Sequence, residues 1–317
     1  MKSYPLITII IPCYNPGKYL KECINSLKCS HDKIEVILID DASTDKSVEK
    51  IKCKNIKTIR NGKNRGVSYS RNRGIDEANG KYVMFLDADD MLVNGAIGEV
   101  LKWASLDYDI IYFSNNKIAH NKYALLKQIL GTNKDKICIA GPVSKLYKTD
   151  FLKTNSIKFK ENIINGEDML FNAEALIKTD SYKTINKNIY LYRRNNSSAT
   201  RTFDERIIEN DKNFQSYIEQ ILPNQYKNDI SMLAINGLFT VITRISNLPY
   251  AKALTYYEKI DTKFYEKSSK SMQSLSGYKI LILWLFLRKH YKITHSLLLM
   301  KRNISNLIKK NKEFTGL

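Results

Sequence analysis

The sequence predicts an α/β fold with a mainly parallel sheet, followed by a C-terminal helical region. Short runs of β-branched residues alternate with helical patterns through the first 113 residues, whereas the chain after Phe203 has helical periodicity only. The 317 residues, 43% of them hydrophobic, are enough for one large domain or two ordinary ones.

The predicted strands are continuous apolar runs, which are typical of strands buried on both faces. They lie at Ile7–Ile11, Glu35–Ile39, Ile56–Ile59, Tyr82–Leu86 and Asp109–Phe113. Helical patterns follow turn residues between them, at Tyr19–Leu27, Asp45–Lys52, Ser68–Ala78 and Ala96–Ala104. This order favours parallel strands covered by helices on both faces.

The second part of the chain is organised differently. The alternation stops near Gly141, a Gly166–Met169 tetrad precedes a helical pattern through Lys178, and Ile189–Tyr192 is strand-like. We therefore predict a first domain over residues 1–203, with halves at about 1–113 and 114–203. A helical domain is predicted over 204–317, basic and amphipathic from about residue 263.

Charge is unevenly distributed along the chain. The formal net charge is +19, and residues 263–317 hold 12 Lys or Arg against 2 Asp or Glu. Such a tail favours phosphate-bearing partners, although a general lysine-rich composition would explain the total equally well. Nucleic acid is not expected as a partner, because the bases are not interleaved with aromatic residues in a known module.

Cysteine, histidine and hydropathy patterns limit the class of protein. The five cysteines include no CxxC pair and only four histidines are present, so neither a disulfide framework nor a Cys/His zinc site is expected. The longest apolar run, Ile280–Leu287, is too short to span a bilayer. We expect a cytoplasmic protein, with peripheral attachment to the inner face of the cell membrane as an open alternative.

Polar residues directly after the predicted strands indicate where a ligand binds. In parallel sheets the ligand site lies beyond the carboxyl ends of the strands. The first strand runs into Pro12, Tyr14 and Asn15, and the second into Asp40 and Asp41. Asp41 can accept a hydrogen bond from a base N–H, and Tyr14 can pack against a ring.

Three carboxylates, Asp87, Asp89 and Asp90, follow the fourth strand without a neighbouring base. Such a cluster is stable mainly when a divalent cation neutralises it, and hard oxygen ligands favour Mg²⁺ or Mn²⁺ over zinc. A solvated acidic turn is the structural alternative. Arg71, on the early turn of the Ser68–Ala78 helical pattern, can reach phosphate oxygens.

Four segments together resemble the family 2 glycosyltransferases of the GT-A fold. They are ITIIIPCYN, VILIDDASTD, NRGVSYSRNRGIDEANGKYVMFLDADD and NGEDMLF, in that order and at the usual distances. The resemblance covers residues 5 to about 200 and implies a non-processive enzyme of bacterial surface-polysaccharide synthesis, because the QxxRW segment of the processive members is absent. Capsule, exopolysaccharide, O-antigen and teichoic acid are the polymer classes it implies.

The resemblance implies a role for each matching residue. Pro12, Tyr14 and Asp41 are expected to hold the uracil of a UDP-sugar, with Asn15 and Asp40 beside them. Arg71 is expected to contact the diphosphate. Asp87 is expected to contact the ribose and the metal, and Asp89 to bind the Mg²⁺ or Mn²⁺. Asp168 is the expected base that takes the acceptor's proton, and Glu167 helps to hold a sugar. One base opposite the leaving group implies inversion. Acidic residues at a helix start are also favoured by the helix dipole alone.

The segment YRRNNSSAT is similar to a basic stretch that follows the catalytic domain in this family. Arg193, Arg194 and Ser198 could close over the diphosphate as a lid, and a solvated loop explains the pattern equally well. The third metal ligand is not evident, since the four histidines are scattered.

Two other functions fit parts of the pattern. A sugar-nucleotide-binding protein without turnover would keep the pocket, and a nucleotidyltransferase would also use an α/β sheet and a metal. Asp89 and Asp168 disfavour the first, and PCYNPGKYL in place of a Gly- and Arg-rich loop disfavours the second. The resemblance implies a saccharide acceptor, with a polyprenyl-diphosphate carrier as one form of it. For the basic tail, binding to an anionic membrane surface and packing within the chain or in a homodimer remain open.

Overall fold

The computed structural model describes residues 4–27, 32–51, 56–114, 117–133, 139–193 and 203–315. The chain divides into two compact units, Met1–Asn196 and Ser197–Leu317. The first unit carries the sheet and the second is helical. The predicted fold class is therefore confirmed.

The strands of the first unit are β1 (Ile7–Cys13), β2 (Ile34–Asp40), β3 (Ile56–Arg60), β4 (Tyr82–Phe85), β5 (Met91–Leu92), β6 (Ile110–Ser114), β7 (Lys145–Lys148), β8 (Tyr182–Asn186) and β9 (Tyr190–Leu191). Seven of them form one sheet in the order β3-β2-β1-β4-β7-β6-β8. Only β7 runs antiparallel to its neighbours in this sheet, and β5 pairs with β9 in a separate antiparallel ribbon.

The helices of this unit are α1 (Tyr19–Ser26), α2 (Val67–Glu77), α3 (Ala96–Ala104), α4 (Lys122–Leu130), α5 (Thr149–Thr154) and α6 (Glu167–Ile177). Helix α2 packs closely on β1, because Gly74 has no side chain there. A Cβ at Gly74 would lie 2.3 Å from Cγ2 of Ile10. This contact brings the start of α2 to the carboxyl end of the sheet.

One predicted helix, Asp45–Lys52, is wrong over its described residues. The structure has only a short 3₁₀ turn at Val48–Lys50. The Asp45 carboxylate accepts hydrogen bonds from the backbone N–H and the hydroxyl of Ser47, and Lys46 is in the left-handed region with φ 57°. Local side-chain hydrogen bonds of this kind compete with helix formation.

The second unit is built from α7 (Ile207–Ile221), α8 (Lys227–Ile245), α9 (Tyr250–Tyr257), α10 (Thr262–Glu266), α11 (Gly277–Leu287) and α12 (Tyr291–Thr315). Its core contains Leu238, Ile242, Tyr257 and Phe286, all of them fully buried. Within the described residues, each helix is too short or too polar to cross a membrane.

Candidate active site

The predicted site residues of the first strands gather at one edge of the sheet. The backbone N–H of Asp41 donates to the carbonyl of Cys13 at 2.8 Å, and that of Leu86 donates to Ile10 at 3.1 Å. Strands β1, β2 and β4 therefore end side by side. The acidic turn after β4 lies beside the turns after β1 and β2.

Arg71 joins two of the predicted acidic residues. Its guanidinium Nη2 lies 3.1 Å from Oδ1 of Asp87, and its Nη1 lies 2.7 Å from Oδ1 of Asp168. Glu167 is farther away, at 3.9 Å. Asp168 and Arg71 are 97 positions apart in the chain, so tertiary folding brings the start of α6 to α2.

Helix α6 begins at the two acidic residues because Gly166 turns the chain with φ 99°. Carboxylates in the first turn are stabilised by the helix dipole. Farther along α6, Phe171 stacks on Phe159 with ring centroids 4.0 Å apart. The guanidinium of Arg71 lies 5.2 Å from the Phe159 ring, which closes its other side.

Burial sets the electrostatics of this cluster. It raises the pKa of Glu167 to about 7, with the charge of Asp168 adding to the effect. It also raises the pKa of Asp168, although Arg71 opposes the shift. Burial disfavours the charged form of Arg71, but the three carboxylates outweigh it and raise the pKa of this guanidinium.

Asp41 is 3% exposed and organises the loop after β3. Its carboxylate accepts hydrogen bonds from the backbone N–H groups of Arg65 and Gly66 and from the side chain of Asn61, at 2.7 to 3.1 Å. These contacts occupy about as many acceptor positions as a carboxylate has. A base N–H would have to share them.

Asp40 and Asn15 also make local contacts. Asp40 forms an ion pair with Arg60 at 2.6 Å and accepts from the backbone N–H of Ser43. Asn15, with φ 48°, accepts from the backbone N–H of Thr44 at 2.7 Å. Asn15 therefore ties the turn after β1 to the turn after β2, whereas Asp40 ties the turn after β2 to β3.

The remaining two residues of this group differ in exposure. Pro12 is buried within β1, where it pairs with the second strand. Tyr14 is 53% exposed, so its ring is available at the carboxyl edge of the sheet.

The acidic turn after β4 has one buried and two accessible carboxylates. Asp90 is 1% exposed and accepts hydrogen bonds from the Tyr190 hydroxyl at 2.6 Å and the backbone N–H of Arg193 at 2.7 Å. Burial raises its pKa. Asp87, whose side chain is 33% exposed, and the half-buried Asp89 remain as candidate metal ligands.

Sequence reasoning missed the contribution of Tyr190. Its hydroxyl anchors Asp90 across 100 positions of the chain. The strand-like pattern at Ile189–Tyr192 predicted the element that carries it, but spacing contains no signal for the pairing of β9 with β5.

Arg193 is held by several groups at the end of β9. Its guanidinium forms an ion pair with Glu22, donates to the carbonyl of Asp89 at 2.9 Å and lies 4.7 Å from the Tyr19 ring. The other two predicted lid residues, Arg194 and Ser198, lie outside the described residues.

The carboxylates of the site are oxygen donors of the kind that Mg²⁺ and Mn²⁺ prefer. Among the described residues, no three His, Cys, Asp or Glu side chains form a group that could hold a metal by themselves. Mg²⁺ and Mn²⁺, however, are commonly held by one or two carboxylates together with substrate phosphates. One guanidinium faces three carboxylates at Asp87, Glu167 and Asp168, and this excess of negative charge also fits an added cation.

The family model described as "Glycosyl transferase family 2" matches residues 8–179, more than half of the chain. The chain is similar to glycosyltransferase GlyG of Streptococcus pneumoniae, with 26% identity over 82% of this chain and 93% of that protein. It is also similar to the poly(ribitol-phosphate) β-N-acetylglucosaminyltransferase TarS of Staphylococcus aureus, with 29% identity over 58% of this chain and 35% of TarS.

Two solved structures share the fold. The crystal structure of S. aureus TarS 1–349 with UDP-GlcNAc has a TM-score of 0.60 at 21% identity, covering 94% of this chain and 91% of that one. The mannosyltransferase PcManGT from Pyrobaculum calidifontis, in complex with GDP-Man and Mn²⁺, has a TM-score of 0.52 at 13% identity, with 93% and 87% covered. The match over residues 8–179 confirms the resemblance found in the sequence: the chain belongs to glycosyl transferase family 2.

Proposed function

We propose that this chain is a metal-dependent, inverting glycosyltransferase that moves a sugar from a UDP-sugar to a saccharide acceptor during synthesis of a bacterial surface polysaccharide. One observation carries the proposal. Asp168, at the start of α6, and Asp87, which follows β4, both form ion pairs with the guanidinium of Arg71. A base for the acceptor is thereby placed next to the carboxylates expected at the donor.

The donor side is supported by the ends of β1 and β2. The exposed Tyr14 ring can stack on a base, and the loop that Asp41 holds can face the nucleotide with its backbone. UDP is proposed as the nucleotide because TarS, which shares the fold, has been crystallised with UDP-GlcNAc. The transferred sugar is to be identified by testing a panel of UDP-sugars.

Asp87 and Asp89 would hold the Mg²⁺ or Mn²⁺, with diphosphate oxygens completing its coordination. When bound, the cation would act as a Lewis acid that stabilises the charge developing on the departing diphosphate. Asp90 is proposed as a structural residue, since its oxygens bind Tyr190 and the backbone of Arg193.

On the acceptor side, Asp168 is proposed to take the proton of the attacking hydroxyl. Its carboxylate is 30% exposed, so an acceptor can reach it, and burial brings its pKa closer to neutrality. Glu167 is proposed to help hold a sugar hydroxyl. Attack from the side opposite the leaving diphosphate inverts the anomeric configuration.

The test combines binding and transfer. Asp89→Ala should abolish metal-dependent UDP binding in calorimetry, whereas Asp168→Asn should keep UDP binding and lower transfer by roughly 10²-fold or more. The matched control is Asp180→Asn, an exposed residue that pairs with Lys122. Product anomers are assigned by NMR after screening UDP-sugars for thermal stabilisation.

Three results would contradict the proposal. Equal UDP affinity with and without EDTA would contradict the metal dependence. Near-normal transfer by Asp168→Asn would contradict the role of Asp168 as the base. Retention of the anomeric configuration would contradict direct displacement. Nucleotidyl transfer is separated in the same assay, because it would consume a nucleoside triphosphate and release pyrophosphate.

The C-terminal helices are proposed to bind an anionic membrane surface, where a lipid-linked acceptor would be found. Helix α11 buries Ile282, Leu283, Leu285 and Phe286, while Leu281 and Trp284 are 47% and 49% exposed. In α12 the exposed Ile293, Met300 and Ile304 are spaced by seven and four residues, which places them on one helical stripe.

Basic residues accompany both exposed apolar groups. Arg288, Lys289, Lys292, Lys301 and Arg302 are all exposed, and the sequence from Lys267 to Lys312 contains no Asp or Glu. Apolar side chains among bases favour the interface of an anionic bilayer. A homodimer through the same faces is the alternative outcome.

Sedimentation with vesicles of phosphatidylglycerol or of phosphatidylcholine alone tests this surface. Replacing Arg288, Lys289 and Lys292 by Gln should weaken binding to the anionic vesicles by about 10²-fold, at about 1 kcal/mol per base. The control replaces three exposed lysines of the same unit, Lys212, Lys227 and Lys252. Equal binding to both vesicles, or a concentration-dependent dimer with no vesicle binding, would contradict the proposal.

A further inference from the structure

We infer that Arg71 is a positioning residue that holds the proposed base Asp168 against the metal-side carboxylate Asp87, and is not a contact for the donor's diphosphate. This inference rests on the proposed function. It replaces the role that the family resemblance implied for Arg71, and it follows from the position of the guanidinium.

Arg71 is 4% exposed, so its guanidinium is almost closed off from solvent. Nη1 and Nη2 are each within 3.1 Å of a carboxylate oxygen, and the Phe159 ring lies 5.2 Å away. The third nitrogen, Nε, is buried with no hydrogen-bond partner among the described residues. With both Nη atoms bound to carboxylates and 4% of the residue exposed, Arg71 offers a phosphate oxygen little accessible surface.

The planar guanidinium of Arg71 can fix the position of two carboxylates relative to each other. Arginine presents several N–H donors in a rigid plane, whereas a lysine ammonium is a single charge on a flexible stem. One guanidinium that binds Asp87 and Asp168 at once limits how far apart these two carboxylates can be. It therefore links the position of the acceptor base to that of the donor side.

The carboxylates around Arg71 also support its role as a positioning residue. The carboxylates of Asp87, Glu167 and Asp168 lie 3.1, 3.9 and 2.7 Å from the guanidinium of Arg71. Without this guanidinium, three carboxylates would lie close together with no positive charge between them. Removing one partner of a buried ion pair leaves an uncompensated charge and is strongly destabilising. Arg71→Lys keeps the charge and loses the planar guanidinium, which makes it the informative substitution.

The experiment is a double-mutant cycle of Arg71→Lys with Asp168→Asn, read by kcat and by the KM for the donor. Arg71→Lys should lower kcat by about 10²-fold in the wild-type background, because small displacements of a catalytic group cost that much. In the Asp168→Asn background it should cost less than about threefold, since residues that act as a unit are not additive. The KM for the donor and the Kd for UDP should change by less than about threefold.

The matched control is Arg73→Lys, the same substitution two residues along α2, where the guanidinium donates to the carbonyl of Arg60 and to Asn61. It should leave kcat within about twofold of the wild-type value. If Arg71→Lys does not fold by circular dichroism, Arg71→Gln combined with Asp168→Asn removes one charge of each sign and is titrated with UDP instead.

Two results would overturn the inference. The first is a loss of UDP affinity of tenfold or more in either Arg71 variant, and the second is additive losses of kcat in the cycle. Failure of the proposed function is distinguishable, because the wild-type chain would then transfer no sugar. UDP titration of the variants would still show whether Arg71 touches the nucleotide.

Discussion

A buried carboxylate in the helical unit leads to a prediction about stability and pH. Asp211 of α7 is 7% exposed and accepts a hydrogen bond from the hydroxyl of Tyr265 at 2.5 Å. Gly237 of α8 lies against it, since a Cβ there would be 2.3 Å from Oδ1 of Asp211. Burial raises the pKa of Asp211 from its usual 3.8 to about 6.

The sign of the effect follows from proton binding. Because the folded state binds the proton more tightly than the unfolded state, the contribution of Asp211 is fully present below about pH 3.8 and is lost as pH rises through about 6. A difference of about two units corresponds to about 3 kcal/mol at pH 8. Asp211→Asn keeps an oxygen that can accept from Tyr265 and removes the charge.

We therefore expect Asp211→Asn to increase the free energy of unfolding by about 1–3 kcal/mol at pH 8, and by much less at pH 4. The N–H groups of the introduced Asn side chain need a buried hydrogen-bond acceptor. The expected gain in stability is therefore smaller than the full difference of about 3 kcal/mol. Urea unfolding is followed by Trp284 fluorescence in a Trp103→Phe background, because these are the chain's two tryptophans. Trp284 then reports on the helical unit alone.

The control is Glu219→Gln, which removes a charge from an exposed position of the same helix. It should change the free energy of unfolding by less than about 0.5 kcal/mol at both pH values. A lower stability of Asp211→Asn at pH 8, or a gain that is equal at pH 4 and pH 8, would refute the reasoning. In that case the carboxylate's hydrogen bonds would outweigh its loss of hydration.

Two further substitutions test contacts in the sheet unit. Gly74→Ala should lower the free energy of unfolding by about 1–3 kcal/mol, because its Cβ would collide with Ile10, whereas Gly98→Ala in α3 has open space and should be neutral or stabilising. Denaturant unfolding of the two variants measures the difference, and equal effects would contradict the packing argument. Tyr190→Phe should lower stability by about 1–3 kcal/mol at pH 8 and by less at pH 4, because Asp90 would lose a donor to its buried carboxylate. Loss of the same size at both pH values would show that the hydroxyl does not stabilise the charge.

Local patterns in the sequence were sufficient for the fold of residues 1–113. Side chains alternate between the two faces of a strand, so continuous runs such as Ile7–Ile11 indicate strands covered on both sides. Parallel strands then require that their carboxyl ends share one edge. For this reason the sequence alone places the polar residues after β1, β2 and β4 at one edge of the sheet.

Periodicity was less informative where local and tertiary effects compete. At Asp45 a side-chain hydrogen bond to Ser47 replaced the predicted helix. The antiparallel direction of β7 and the ribbon of β5 and β9 have no signature in residue spacing. Helix α11 is apolar all round in sequence, and only packing shows which of its faces is buried.

The partners of the site residues were decided by the tertiary structure. The sequence placed Arg71, Asp87 and Asp168 in the site by motif, but a basic residue near acidic ones can bind either a phosphate or a carboxylate. Folding packs the start of α6 and the Phe159 ring against α2, which buries Arg71 and leaves two carboxylates as its nearest acceptors. Motif spacing specifies which residue types are available, whereas the choice of partner depends on distances between elements that are far apart in the chain.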